Sequence, residues 1–243
     1  MAYYVDIDGL KIPIKIIEEY RPGARVSLGG KSVILRIPKV PILESQVSKH
    51  LDWATTWLKE LKVKKPHVFD KYLDRKVYAH GDIWEIGGQI FVLNIHKEDR
   101  STGYIKLGDD NVLILKIPQN EGYDVQKLIR SLLIKFAQGY FLPKIIERVN
   151  HYNKGFIKKP INGVKLKYNT SNWGSCSTGK NLNFSVRLLF APDDVIDYVV
   201  VHELAHLHEM NHSDRFWNIV ESIMPDYEKK EEYLKIHGGK MDF

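Results

Sequence analysis

Residues 192–217 read PDDVIDYVVVHELAHLHEMNHSDRFW, an apolar run that opens on an acidic pair and closes on a cluster of histidines. Asp193 or Asp194 can cap a helix expected to run to about residue 209. His202 and His206 stand four apart. At about 100° per residue they share one helix face, one above the other. That spacing lets two imidazoles hold one metal ion. Glu203 follows His202 directly and is placed to hydrogen-bond a water rather than to ligate. Zinc lowers the pKa of such a water, and the carboxylate takes its proton.

A catalytic zinc site takes three protein ligands. His212, six residues after His206, is the expected third. The chain can leave the helix near Met210-Asn211, with Asn211 as a left-handed cap, and fold back. The interval 202, 206, 212 matches metalloproteases whose third histidine follows a glycine turn, although Glu209 stands at the glycine position here. Tyr198-Val199-Val200-Val201 would lie inside the fold, where buried histidines need partners that a metal supplies. His208 points to a different face and is an outside candidate. Asp197, five residues before His202, reads as a helix-capping residue first and as a hydrogen-bond partner behind the site second. Beyond the cluster, Ser213 should cap a helix that packs Phe216, Trp217, Val220 and Met224 inward. A last helix, about 226–236, ends at His237-Gly238-Gly239, with His237 as its cap.

Upstream, Leu182, Phe184 and Val186 alternate with polar residues, the pattern of a half-buried strand. Before it, Trp173-Gly174-Ser175-Cys176-Ser177 forms a glycine-containing loop that can line the cleft, with Cys176 as a small buried hydrophobe. A strand is expected over 160–168 and a helix around 126–150, with Pro143 as a kink point.

The first two thirds contain a degenerate repeat. LGGKSVILRIP (28–38) resembles LGDDNVLILKIP (107–118), spaced 79 residues from Leu28 to Leu107 and 80 from Pro38 to Pro118. Each copy reads as strand, glycine-containing turn, strand and helix, with prolines stopping the strands. Helices are expected at 43–59, where Leu43, Val47, His50, Trp53, Ala54, Trp57 and Leu58 recur at helical spacing, and at 123–139. Between the copies, Lys76–Tyr78, Ile83–Ile86 and Ile90–Ile95 read as strands, with a turn at Gly87-Gly88.

Of the 243 residues, 44% are hydrophobic and 27% charged, a globular balance. No stretch approaches a membrane span, and the N-terminus has no signal-peptide pattern. One cysteine excludes an internal disulfide framework and fits a reducing cytoplasm. The formal charge of +6 comes from scattered basic residues, so nucleic acid is a possible partner only through a basic surface.

The segments NWGSCSTGKNLNFSVRLLFAP, DYVVVHELAHLHEMNHSDRFW and MPDYEKKEEYLKIHG, with EEYRPGARVSLGGKSVILRIP near the N-terminus, resemble the YgjP-like family of predicted metal-dependent hydrolases. That family is similar to the SprT-like zinc peptidases. The resemblance implies a zincin-like fold with His202, His206 and His212 as ligands of one zinc ion and Glu203 as the catalytic carboxylate. It also implies that Trp173, Gly174, Ser175, Cys176 and Arg187 surround the site. The family usually has arginine where Asn172 stands and tryptophan where Val186 stands.

The fold class expected is α+β. Residues 1–122 form a β-rich repeat-containing region with a crossover helix, and residues 123–243 a zincin-like helical catalytic domain with a short sheet. The activity expected is hydrolysis of a peptide or protein substrate, with Glu203 as general base. Arg187 is the first candidate to stabilise the oxyanion, and Tyr227 or His237 the next. Two rivals stand beside it: a zinc hydrolase of a non-peptide amide, and a nucleic-acid-associated binding protein with a structural zinc. A closed pocket favours the former, and a four-ligand site the latter.

Overall fold

In a computed structural model, residues 3–7, 9–30, 32–39, 44–65, 68, 69, 72, 76–119 and 124–243 are described. The chain forms two compact units, Met1–Asp74 and Arg75–Phe243. The division expected after residue 122 therefore runs inside the second unit.

In the first unit, β1 (Tyr3–Ile7) pairs antiparallel with β2 (Leu10–Glu19). β3 (Arg25–Leu28) pairs antiparallel with β4 (Val33–Pro38), and β4 runs parallel to β2. The order is β1-β2-β4-β3. Val33, Leu35 and Ile37 alternate inward, and α1 (Glu44–Lys64) covers them with Ala54 and Leu58. The helix outruns the expected 43–59, and Leu43 lies outside the described residues. Trp53, expected on the inward face, is 44% exposed. Ala54 and Leu58 define the buried stripe, and Trp53 falls about 100° away from Ala54.

In the second unit, β5 (Ile83–Ile86), β6 (Gln89–Glu98), β7 (Tyr104–Leu107) and β8 (Val112–Pro118) make a sheet of order β5-β6-β8-β7. Its pairing senses match those of the first sheet: β6 parallel to β8, and the two outer pairs antiparallel. Gly87 and Gly88, both at positive φ, make the two-residue turn between β5 and β6. Lys76–Tyr78 is not a strand. The Gln126 side chain takes both backbone groups of Tyr78, accepting from its N–H at 2.8 Å and donating to its carbonyl at 3.0 Å.

One long helix, α2 (Val125–Tyr152), runs through Pro143 and replaces the two overlapping helices expected at 123–139 and 126–150. Asp124 caps it through Lys127 N–H. A third sheet follows, from β9 (Gly163–Lys167), β10 (Gly174–Cys176) and β11 (Asn181–Ser185), in the order β10-β11-β9. Val186, expected in the strand, begins a 3₁₀ turn over Val186–Phe190. Three helices close the unit: α3 (Asp193–Ala205), α4 (Asp214–Ile223) and α5 (Tyr227–His237). One hydrophobic interior joins Trp84, Phe91 and Leu115 of the sheet, Phe141 and Val149 of α2, and Val200 and Leu204 of α3. The result is an α+β fold, and no helix among the described residues is long and apolar enough to cross a membrane.

Candidate metal centre

α3 forms because residues 193–205 combine an acidic first turn with an apolar body. Pro192, in extended backbone, precedes the first turn, where Asp193 and Asp194 face the positive helix end without capping it by a side-chain bond. Arg148 of α2 clasps this end, bonding Asp193 and also Asp197 at 2.6 Å. Asp197 is thus an ion-pair partner rather than a cap. Val199, Val200 and Val201 anchor the helix in the interior, so His202 is carried on a rigid element.

The helix ends earlier than the expected residue 209. His206 is its C-cap, still in right-handed backbone. Its Nδ1 lies 3.0 Å from the Glu209 carbonyl, which can only accept, so Nδ1 carries the proton and Nε2 keeps its lone pair. Asn211 is not left-handed. Its side-chain oxygen instead accepts from Ser213 N–H at 3.0 Å, which turns the chain back. His212 then returns to the helix: its Nε2 lies 3.0 Å from Nε2 of His202. One ring nitrogen from each of His202, His206 and His212 lies within 4.8 Å of the others. Phe216 of α4 supports all three rings, at 4.8, 4.5 and 4.7 Å between centroids.

These donors fit a divalent ion. Burial, then the neighbouring His206 and His212, push His202 down to about 3, and burial lowers His206 as well. Neutral imidazole is the ligating form. Among the described residues the cluster contains neither Glu203 nor Cys176, so three imidazoles supply its donors.

Glu203 is 5% exposed, its Oε2 has no hydrogen-bond partner among the described residues, and burial pushes its carboxyl up to about 8. Gly174 of β10 makes room for it. A Cβ there would stand 2.5 Å from Glu203 Oε1 and 2.6 Å from its Cγ. Burial and then Glu203 push the Cys176 thiol up to about 11, which disfavours the thiolate that nucleophilic attack needs.

Arg187 does not reach this site. The 3₁₀ turn after β11 carries it to the C-terminal segment, where Nε donates to the Met241 carbonyl (2.7 Å) and Nη2 to the Gly238 carbonyl (2.9 Å). Its guanidinium also lies over Trp173, 4.9 Å from the ring centroid. These bonds hold Arg187 against backbone carbonyls of the C-terminal segment. Arg187→Ala should lower unfolding free energy by about 3 kcal/mol, because it leaves buried carbonyls unpaired. Urea titration checks this, with metal stoichiometry unchanged. Tyr227 stacks on Trp217 at 5.1 Å, and His237 packs on Tyr233 at 4.3 Å. Neither lines the cavity over the histidines. His208 turns to the Ile157 carbonyl at 3.0 Å, away from the cluster.

The cavity measures about 560 Å³, with the three histidines and Glu203 in its wall. Asn172, Trp173, Gly174, Ser175 and Cys176 line another part, as the family resemblance implied for the last four. Tyr198, Met210, Glu231, Leu234 and Lys235 also line it and went unnoticed in the sequence as site residues. Tyr198 had a signal, standing four residues before His202 on the same helix face.

The family model described as YgjP-like, metallopeptidase domain, matches residues 24–237. The chain belongs to the YgjP-like family. Two solved structures overlap this YgjP-like chain in part. The metallopeptidase zymogen abylysin of Pyrococcus abyssi is 20% identical, with a TM-score of 0.34 over 37% of this chain and 90% of its own. The metallopeptidase zymogen jannalysin of Methanocaldococcus jannaschii is 24% identical, with a TM-score of 0.33 over 39% of this chain and 94% of its own. Comparison with curated proteins gave no match. For the YgjP-like chain, the family and the three-histidine cluster together mark a metal-dependent hydrolase.

Proposed function

We propose that this chain is a zinc-dependent peptidase with a zincin-like catalytic helix, holding one zinc ion through His202, His206 and His212. The observation that carries the reading is Glu203: a buried carboxylate with an unpartnered oxygen, in the wall of the cavity that the three imidazoles also line. A structural ion would not call for such a group. When bound, zinc supplies Lewis acidity toward a carbonyl and lowers the pKa of a water.

Glu203 accepts the proton of the attacking water and returns it to the leaving amine. With Arg187 engaged elsewhere, Tyr198 is the phenolic donor on the cavity wall for the developing oxyanion. The substrate lies along β10, an edge strand bordering the cavity, where an extended peptide can add as a further strand. This favours a peptide over a compact amide. Three candidate ligands rather than four among the described residues speak against a purely structural zinc. The lone cysteine fits a reducing cytoplasm. The matching order and pairing senses of the two four-stranded sheets support one duplicated unit behind the repeat in the sequence.

Metal analysis with hydrolysis of labelled casein tests the reading. One zinc per chain is expected, with hydrolysis that vanishes on chelation and returns on adding zinc. No metal after reconstitution would overturn the site. One zinc per chain without hydrolysis of casein would overturn the peptidase.

A further inference from the structure

The outer edge of β10 carries a hydrogen bond that the proposed reaction does not use. Two bonds fix the ladder to β11: Ser185 N–H donates to the Trp173 carbonyl at 2.7 Å, and Ser177 N–H to the Asn181 carbonyl at 3.0 Å. Bonded and non-bonded pairs alternate along an antiparallel ladder. Residues 173, 175 and 177 therefore turn their backbone groups toward β11. Gly174 and Cys176, opposite Phe184 and Leu182, turn theirs outward. β10 is the last strand of its sheet, and both residues line the cavity. A peptide laid along this edge meets the Gly174 carbonyl.

That carbonyl already has a donor. Asn172 Nδ2 donates to it at 2.9 Å, while Asn172 Oδ1 accepts from Asn169 Nδ2 at 3.0 Å. The orientation of the Asn172 amide is settled by chemistry, because a carbonyl only accepts and must face the nitrogen. Asn172 is itself exposed and lines the cavity, so nothing buried holds it in place.

We propose that Asn172 is a specificity-determining latch: its side-chain amide occupies the Gly174 carbonyl in place of a substrate N–H and swings away when an extended peptide adds to β10. The inference rests on the peptidase reading above. A primary amide offers the same N–H as a peptide bond, so latch and substrate compete for one acceptor. Extended, unfolded segments replace the lost bond with strand pairing. Compact substrates that present no strand cannot.

Steady-state hydrolysis of unfolded, fluorescein-labelled casein by the zinc-loaded full chain tests this in wild type, Asn172→Ala and Asn172→Asp. The aspartate still accepts from Asn169 but has nothing to donate to Gly174, so it separates loss of the latch from loss of loop packing. Both variants should lower KM by about three- to tenfold, the range a neutral hydrogen bond commands, with kcat moving much less. A KM unchanged or raised in either variant, beside an active wild type, overturns the latch alone. No hydrolysis by any of the three overturns the peptidase reading and the latch with it.

Discussion

Glu203→Gln should keep one zinc per chain and lose casein hydrolysis by about 10²–10⁴-fold, the contribution of a positioned general base. The amide is nearly isosteric and enters a pocket where Glu203 is 5% exposed, so packing changes little. The histidine cluster contains no atom of Glu203, so ligation is left intact. Losing the proton acceptor should lower kcat rather than raise KM. Metal analysis and steady-state kinetics on the same preparation separate the outcomes. Retained activity would remove Glu203 from the chemistry. Zinc lost along with activity would make it a ligand.

Gly174→Ala should come close to the same loss from the opposite wall. The new methyl would stand 2.5 Å from Glu203 Oε1 and 2.6 Å from Cγ, so the carboxylate must move. That displacement takes the carboxylate out of the position it holds in the cavity wall. A fall in hydrolysis of about a hundredfold or more is expected. Overpacking should also cost about 1–3 kcal/mol of stability. The double variant with Glu203→Gln decides the cause. If the methyl acts by displacing the carboxylate, it adds little further loss of activity once the carboxylate is gone. Independent, multiplying losses would point to damage elsewhere along β10.

The legible part of this site was whatever follows from helical period. His202 and His206 share a face because of their spacing, and the valines before them are buried as their apolar run implied. The return of His212 was also anticipated, but its route was not. The chain turns through bonds involving the Glu209 carbonyl and the Asn211 side chain, and composition does not reveal such bonds. The direction taken by Arg187 was illegible for a related reason. Proximity to a site strand in sequence says nothing of direction once a 3₁₀ turn intervenes, and Arg187 leaves β11 through one. Trp53 shows the limit of periodicity by itself, since its neighbour Ala54 is the residue that lies in the core. Lys76–Tyr78 has strand-like composition, yet a distant glutamine amide satisfies its backbone. Tyr198 was hidden by its own company: an aromatic among valines reads as core, and here it is both buried and on the cavity wall.

The interior that β5–β8 share with α2 and α3 governs how the site fails under heat. A sheet with its own closed core could melt and leave the histidines standing. Here Phe141 and Val149 on one helix are packed in the same cluster as Phe91 of the sheet and Val200 of the histidine helix. Cooperativity then runs through the second unit as a whole. Loosening the outermost strands of its four-stranded sheet loosens the geometry of the imidazoles in the same transition. Bound metal, by mass action, should in turn raise the melting point of strands that never touch it.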